Sequence, residues 1–124
     1  MDRTGVVAWI ASYEDAWRSA GTERLADLFT EDSTYLASPW RPPLRGLSAI
    51  ARFWDAERDG PGEVFAMDSE IVAVDGDVAV VRVEVKYGRG TSRWRDLWVV
   101  RFAPDGRCVA FEEWPFAPNQ PDGH

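Results

Sequence analysis

The sequence is poor in the residues on which most nucleophilic and metal chemistry depends. It has one histidine, His124, the final residue, following Pro118, Pro121 and Gly123 in a stretch (118–124) expected to fray. A Ser-His or Cys-His pair therefore has no base to draw on. The single cysteine, Cys108, has no partner for an internal disulfide, and one His with one Cys cannot make a zinc ligand set. Within its strand the thiol reads as a small core residue. No Walker loop and no Gly-x-Gly-x-x-Gly occurs; Gly88-Arg89-Gly90 has the composition of a hairpin turn. Basic charge is also short. A net charge of −7 argues against nucleic acid and anionic membrane surfaces as partners, since both demand basic patches. No apolar run comes near the ~20 residues a bilayer-spanning helix needs. The first residues carry no signal-peptide apolar core, so the expectation is a soluble, cytoplasmic protein working without metal or organic cofactor. Any proton chemistry falls to carboxylates, tyrosine or water.

What the chain does have is aromatic area: seven Trp, six Phe and three Tyr in 124 residues, a length that makes one domain. That area needs a dense core or a cavity, and aromatics also line small-molecule sites.

The hydrophobic period is helical first. Val6, Val7, Ile10, Tyr13 and Trp17 mark one face of a helix over about 4–20, with Gly21 as its stop. Thr22 is the expected N-cap of a short second helix carrying Leu25, Leu28 and Phe29. Ser33 to Ala37 is a short strand with Tyr35 at its centre, and the prolines of Ser38-Pro39-Trp40-Arg41-Pro42-Pro43 forbid regular structure after it. Gly46 opens a third helix with Leu47, Ile50, Phe53 and Trp54 as its buried stripe, ended by Asp59-Gly60-Pro61-Gly62.

From residue 63 the period is two. A strand with Phe65, Met67, Ile71 and Ala73 runs to the Asp75-Gly76 turn; the next places Val81, Val83, Val85 and Tyr87 opposite Arg82, Glu84 and Lys86. A third strand, Ser92 to Phe102, puts Trp94, Asp96, Trp98 and Val100 on one face and Arg93, Arg95, Leu97, Val99 and Arg101 on the other. After Ala103-Pro104-Asp105-Gly106 the last strand runs to Phe116 and holds two adjacent carboxylates, Glu112 and Glu113. Alternation sends one of them inward, where an unpaired carboxylate costs several kcal/mol. Helices followed by an antiparallel meander make an α+β fold: one domain over 1–124, its ordered core about 4–117, with three N-terminal helices on the concave face of a curved sheet.

This order of elements resembles the nuclear transport factor 2-like superfamily, nearest its SnoaL-like polyketide-cyclase group and the ketosteroid isomerases. The residues that carry the resemblance are Leu25-Ala26-Asp27-Leu28-Phe29-Thr30-Glu31-Asp32-Ser33, Pro42-Pro43-Leu44-Arg45-Gly46, Arg82-Val83-Glu84-Val85 and the run from Gly106 to Trp114. It implies a cone-shaped, cystatin-like α+β barrel enclosing a deep apolar pocket, an apolar small-molecule ligand, and a homodimer through the outer sheet face. Leu97, Val99 and Trp114 fit that dimer surface.

Residue by residue, the isomerase oxyanion tyrosine falls on Tyr13, its base aspartate on Ser38 and its protonated aspartate on Trp98. Two of the three functional groups are thus missing, so steroid isomerisation by that mechanism is not expected. The same match lines the pocket with Val83, Val85, Trp98, Phe111, Glu113 and Pro115 and turns Glu112 outward. Limonene-epoxide-hydrolase-like members pair an Arg-x-Asp with a last-strand carboxylate; here Arg82-Val83-Glu84 sends both charges outward. Cyclases carry an Asp where Pro115 or Phe116 stands.

The candidates are then Glu113 as acid or base, Tyr13 as hydrogen-bond donor and Asp96 as assisting carboxylate, with Trp17, Tyr35, Trp40, Phe53, Val83, Val85, Trp94, Trp98 and Phe111 against a ligand. Each has a plainer alternative: Glu113 paired with Arg41 or Arg45, Asp96 solvated at a strand end, Tyr13 and many of the rings simply core. The function is either cofactor-independent isomerase, cyclase, dehydratase or hydrolase chemistry on an apolar substrate, or ligand binding or dimerisation without chemistry.

Overall fold

The computed structural model describes residues 1–58, 64–88 and 92–122. The proposed helix end at Asp59-Gly60-Pro61-Gly62, most of the Gly88-Arg89-Gly90 turn and His124 lie outside the described residues.

Helix α1 (Arg3–Arg18) starts at Asp2, whose carboxylate caps the Gly5 N–H at 2.8 Å. It buries Val6, Trp9, Ile10, Tyr13 and Ala16. Val7, expected on that face, is 55% exposed, because it stands about 100° round from Val6 while Trp9 and Ile10 close the stripe. The helix ends at Arg18, and Gly21 takes its positive φ of 78° in the link beyond it. Helix α2 (Leu25–Leu28) follows Arg24 as N-cap and has no side-chain cap, so Thr22 does not fill that role.

Strand β1 (Phe29–Leu36) begins four residues earlier than alternation alone suggests, since Phe29 itself pairs with Cys108. The Pro-rich loop leads into β2 (Leu44–Arg45), a two-residue strand against Thr34 and Tyr35 that is too short to show a period. Helix α3 (Leu47–Glu57) opens at Gly46, whose φ of 88° favours glycine. The meander follows: β3 (Phe65–Asp75), β4 (Val78–Tyr87), β5 (Ser92–Phe102) and β6 (Cys108–Phe116).

The six strands form one sheet in the order β2-β1-β6-β5-β4-β3, with β1 parallel to β6 and every other pair antiparallel. Register shifts between Ile71 and Ala73 and between Arg101 and Phe102 insert an extra residue into a ladder, which bends the strand. The sheet is curved but open. Its concave face meets α1 through an aromatic cluster in which Trp9 makes edge contacts with Trp98 and Phe102. The Trp9 indole N–H is satisfied by the Leu28 carbonyl at 3.0 Å. On the convex face the charges pair among themselves, Arg82 with Glu70 and Arg93 with Glu84, so the Arg-x-Glu of β4 does point outward. Among the described residues no helix is long and apolar enough to cross a membrane.

Candidate active site

Strands β5 and β6 set the polar floor. Their register places Trp98 opposite Glu113 and Asp96 opposite Pro115, which makes Asp96 and Glu113 diagonal neighbours on the concave face. Helix α1 lowers Tyr13 onto this floor, with its ring 4.6 Å from Trp98. Strand β1 brings Tyr35 beside it, so that the two phenol oxygens stand 3.5 Å apart. Around and above them lies a cavity of about 990 Å³ whose wall includes Tyr13, Trp17, Tyr35, Phe53, Val85, Trp94, Asp96, Trp98 and Glu113.

Val83 and Phe111 do not line this cavity. Val83 is fully buried in the core, and Phe111 lies beneath the floor, stacked under Tyr35 at 4.7 Å and Tyr13 at 5.8 Å. Trp40 is at the rim, 98% exposed on the Pro-rich loop. Ser38 and Pro115, where isomerases and cyclases carry acids, also line the wall and offer no carboxylate.

The electrostatics of the floor follow from burial. Glu113 is held well above the usual carboxylate range, first by desolvation and then by hydrogen bonding to Asp96 and by its charge. Asp96 is raised as well by desolvation, offset by its hydrogen bond with Glu113. Desolvation favours the neutral form of both groups while their mutual effect raises Glu113 and lowers Asp96, which makes Glu113 the group that keeps a proton and Asp96 the one that gives it up. No cation pairs with either group among the described residues, and Asp96 is only 7% exposed, so neither plainer alternative describes the pair. Tyr13 and Tyr35 are also raised well above the usual phenol range, by burial first and then, for Tyr13, by Tyr35 and Glu113 and, for Tyr35, by Glu113.

Several floor groups lack a protein partner. Among the described residues, Asp96 Oδ1 and the indole N–H groups of Trp17 and Trp98 are buried without a hydrogen bond and belong to residues of the cavity wall. The Trp98 N–H favours the charged forms of both carboxyls without reaching hydrogen-bond geometry with either. Buried polar atoms left open on a cavity wall are the ones a ligand or water satisfies.

One contact and one wall residue escaped the sequence reading. The Tyr35 hydroxyl meets Tyr13 across 22 residues, a separation at which no local pattern signals contact. Glu57 on the cavity wall was legible in principle, since it stands four residues after Phe53 on α3 and so shares its face. Among the described residues no group of three or more His, Cys, Asp or Glu could hold a metal ion.

A concave-face cavity on a curved sheet with helices packed against it is the architecture of nuclear transport factor 2-like proteins. A family model of the SnoaL-like domain matches residues 10–111, and the chain belongs to that family. Solved structures agree on the fold. A SnoaL-like family protein from Agrobacterium tumefaciens superposes with a TM-score of 0.71 at 19% identity, covering 91% of this chain and 98% of that one. A protein from Sinorhizobium meliloti provisionally named a polyketide cyclase gives 0.67 at 24% identity, with 86% and 93% covered. A steroid delta-isomerase from Pseudomonas aeruginosa gives 0.65 at 19% identity, with 93% and 82% covered. A search of curated proteins finds no match.

Proposed function

We propose that the cavity binds an apolar small molecule and acts on it by acid–base chemistry without a cofactor, as an isomerase, cyclase, dehydratase or hydrolase. The observation that carries this reading is the Glu113–Asp96 pair on the cavity wall, two diagonal carboxyl groups with no cation paired to either among the described residues, where desolvation favours the protonated form of Glu113. An acid held above the ordinary carboxylate range is suited to giving a proton to a substrate near neutral pH. The Tyr13 hydroxyl supplies a second donor to the same substrate oxygen, and the rings of Trp17, Phe53 and Trp94 hold the apolar body. Folds of this kind carry names of steroid and polyketide chemistry in the structures above, which supports an apolar polycyclic substrate class.

The test is a panel of steroids, terpenoid epoxides and polyketide-like aromatics, followed first by tryptophan fluorescence and then by product analysis. Glu113→Gln is expected to abolish turnover while sparing affinity. Turnover that persists in that variant removes Glu113 from the chemistry. Tight binding with no turnover on any member leaves the second reading, a ligand-binding module. A flat fluorescence response throughout removes the pocket itself.

The outer face supports a homodimer as part of the same reading. Leu97 and Trp114 stay 38% and 41% exposed there, an apolar area that a second copy would cover. Sedimentation equilibrium is expected to show a dimer that Leu97→Glu dissociates; a wild-type monomer through the micromolar range rules the dimer out.

A further inference from the structure

The charges around the cavity are unevenly placed. Arg41 and Glu57 stand exposed at the rim, where opposite signs offset each other and water screens both. The interior holds acids alone: Asp96 and Glu113 are the charged residue types that reach the floor among the described residues. Rings surround them, Tyr13 and Trp98 with centroids 4.6 Å apart, Trp17 stacked 6.4 Å from Tyr13, and Tyr35 beyond.

An independent observation points to an occupant. Asp96 is more than nine-tenths buried, lines the cavity, and its Oδ1 has no hydrogen-bond partner among the described residues. A buried carboxylate oxygen left open in an aromatic chamber is the acceptor half of a site for an N–H⁺ or N–CH₃⁺ group, because the ring faces carry negative quadrupole potential and add to the carboxylate field. The same field opposes anions.

We propose that the cavity selects ligands by charge sign, taking an apolar organic amine whose cationic nitrogen sits against Asp96 and the Tyr13, Trp17 and Trp98 rings, and rejecting carboxylates and phosphates of the same shape. The proposal rests on the small-molecule reading of the cavity and narrows its substrate class. It also fits the acid chemistry: a proton moved from Glu113 to a neutral substrate leaves positive charge on the substrate and a second carboxylate beside it.

Three probes with one benzyl body test it: benzyltrimethylammonium, its neutral carbon isostere neopentylbenzene, and phenylacetate. Dissociation constants come from tryptophan quenching of the full chain at neutral pH and low salt. The ammonium ion is expected to bind at least roughly tenfold more tightly than phenylacetate, the scale of one or two desolvated cation–ring contacts. In Asp96→Asn, with its fold checked by circular dichroism, ammonium affinity falls at least about fivefold while that of neopentylbenzene is unchanged. If that variant fails to fold, the wild-type ranking decides alone. Phenylacetate binding as tightly as the ammonium ion overturns the charge selection. Neopentylbenzene binding while both ions fail overturns it too, yet leaves the apolar cavity reading intact. Failure of all three defeats the cavity reading and this one with it.

Discussion

Glu113 and Asp96 stand diagonally across the β5–β6 ladder on the concave face, two carboxyl groups with no arginine or lysine paired to either among the described residues and both raised by desolvation. The arrangement predicts a protonated carboxyl group in the folded protein at neutral pH. Infrared difference spectra between wild type and Glu113→Gln at pH 7 are expected to show one carboxylic C=O band present in wild type and missing in the variant. Exposed carboxylates are fully ionised at that pH and do not contribute. Identical spectra in that region would mean that both groups are ionised and the shared proton does not exist.

The same proton makes stability depend on pH. Below the ordinary carboxylate range Glu113 is protonated both folded and unfolded, and its burial costs the least. As pH rises past that range the unfolded chain releases the proton while the folded chain keeps it. The folded state then binds more protons, and stability falls until the pH passes the raised folded value. Each unit between the two values removes about 1.4 kcal/mol. Glu113→Gln has no proton to release, so its urea midpoint is expected to fall less than that of wild type between pH 5 and pH 8. Parallel pH profiles for the two proteins would contradict the raised value.

How much of this was legible depended on whether the signal was local. The β4 alternation of Val81, Val83 and Val85 against Arg82, Glu84 and Lys86 fixed both faces of that strand, and Glu70, Arg93 and Arg95 do meet its outward charges. Glu112 and Glu113 were harder, since both faces of β6 carry aromatics; only the likeness to a family register separated them. Glu112 indeed accepts from the Trp114 indole on the other face at 2.6 Å. The likeness to isomerases places Val83 and Phe111 on the cavity wall, but a family register gives the face of a sheet and not the depth that this chain's own rings leave open. Tyr35 and Tyr13 stack on Phe111, and strand alternation holds no record of what lies above it. The parallel pairing of β1 with β6 and the two-residue β2 depend on contacts more than sixty residues apart and about ten residues apart, neither of which leaves a period in the sequence.

Arg58 ties the helices that roof the cavity. Its side chain is 7% exposed and donates to the Ser19 and Gly21 carbonyls at 2.8 Å each, with longer bonds to Ala16 and Trp54. The Ala16 and Trp54 carbonyls at the ends of α1 and α3 also accept the backbone N–H groups of Ser19 and Arg58, so the guanidinium fork adds most at Ser19 and Gly21 in the link that follows α1. Arg58→Met removes the side-chain donor from the Ser19 and Gly21 carbonyls, with an expected loss of about 1–3 kcal/mol in urea unfolding. Arg58→Lys is expected to recover less than half of that loss, since a single ammonium cannot span the two carbonyls. A loss below about 0.5 kcal/mol for Arg58→Met would mean that water replaces the arginine at these carbonyls.

Cys108 opens β6 where it pairs with both Phe29 and Phe102, and none of its surface is accessible. Burial pushes its thiol up to about 12, so at neutral pH it holds almost no thiolate, the form that reacts. Its position between two strands also means that a reagent reaches it only when the sheet opens. Labelling of the native protein with a thiol-reactive disulfide is therefore expected to proceed at the rate of global opening, slow in buffer and steeply faster with added urea. Unfolded protein should label at once and take up one equivalent. Rapid labelling in buffer, with no dependence on urea, would show that the β1–β6–β5 centre of the sheet opens locally without unfolding the rest.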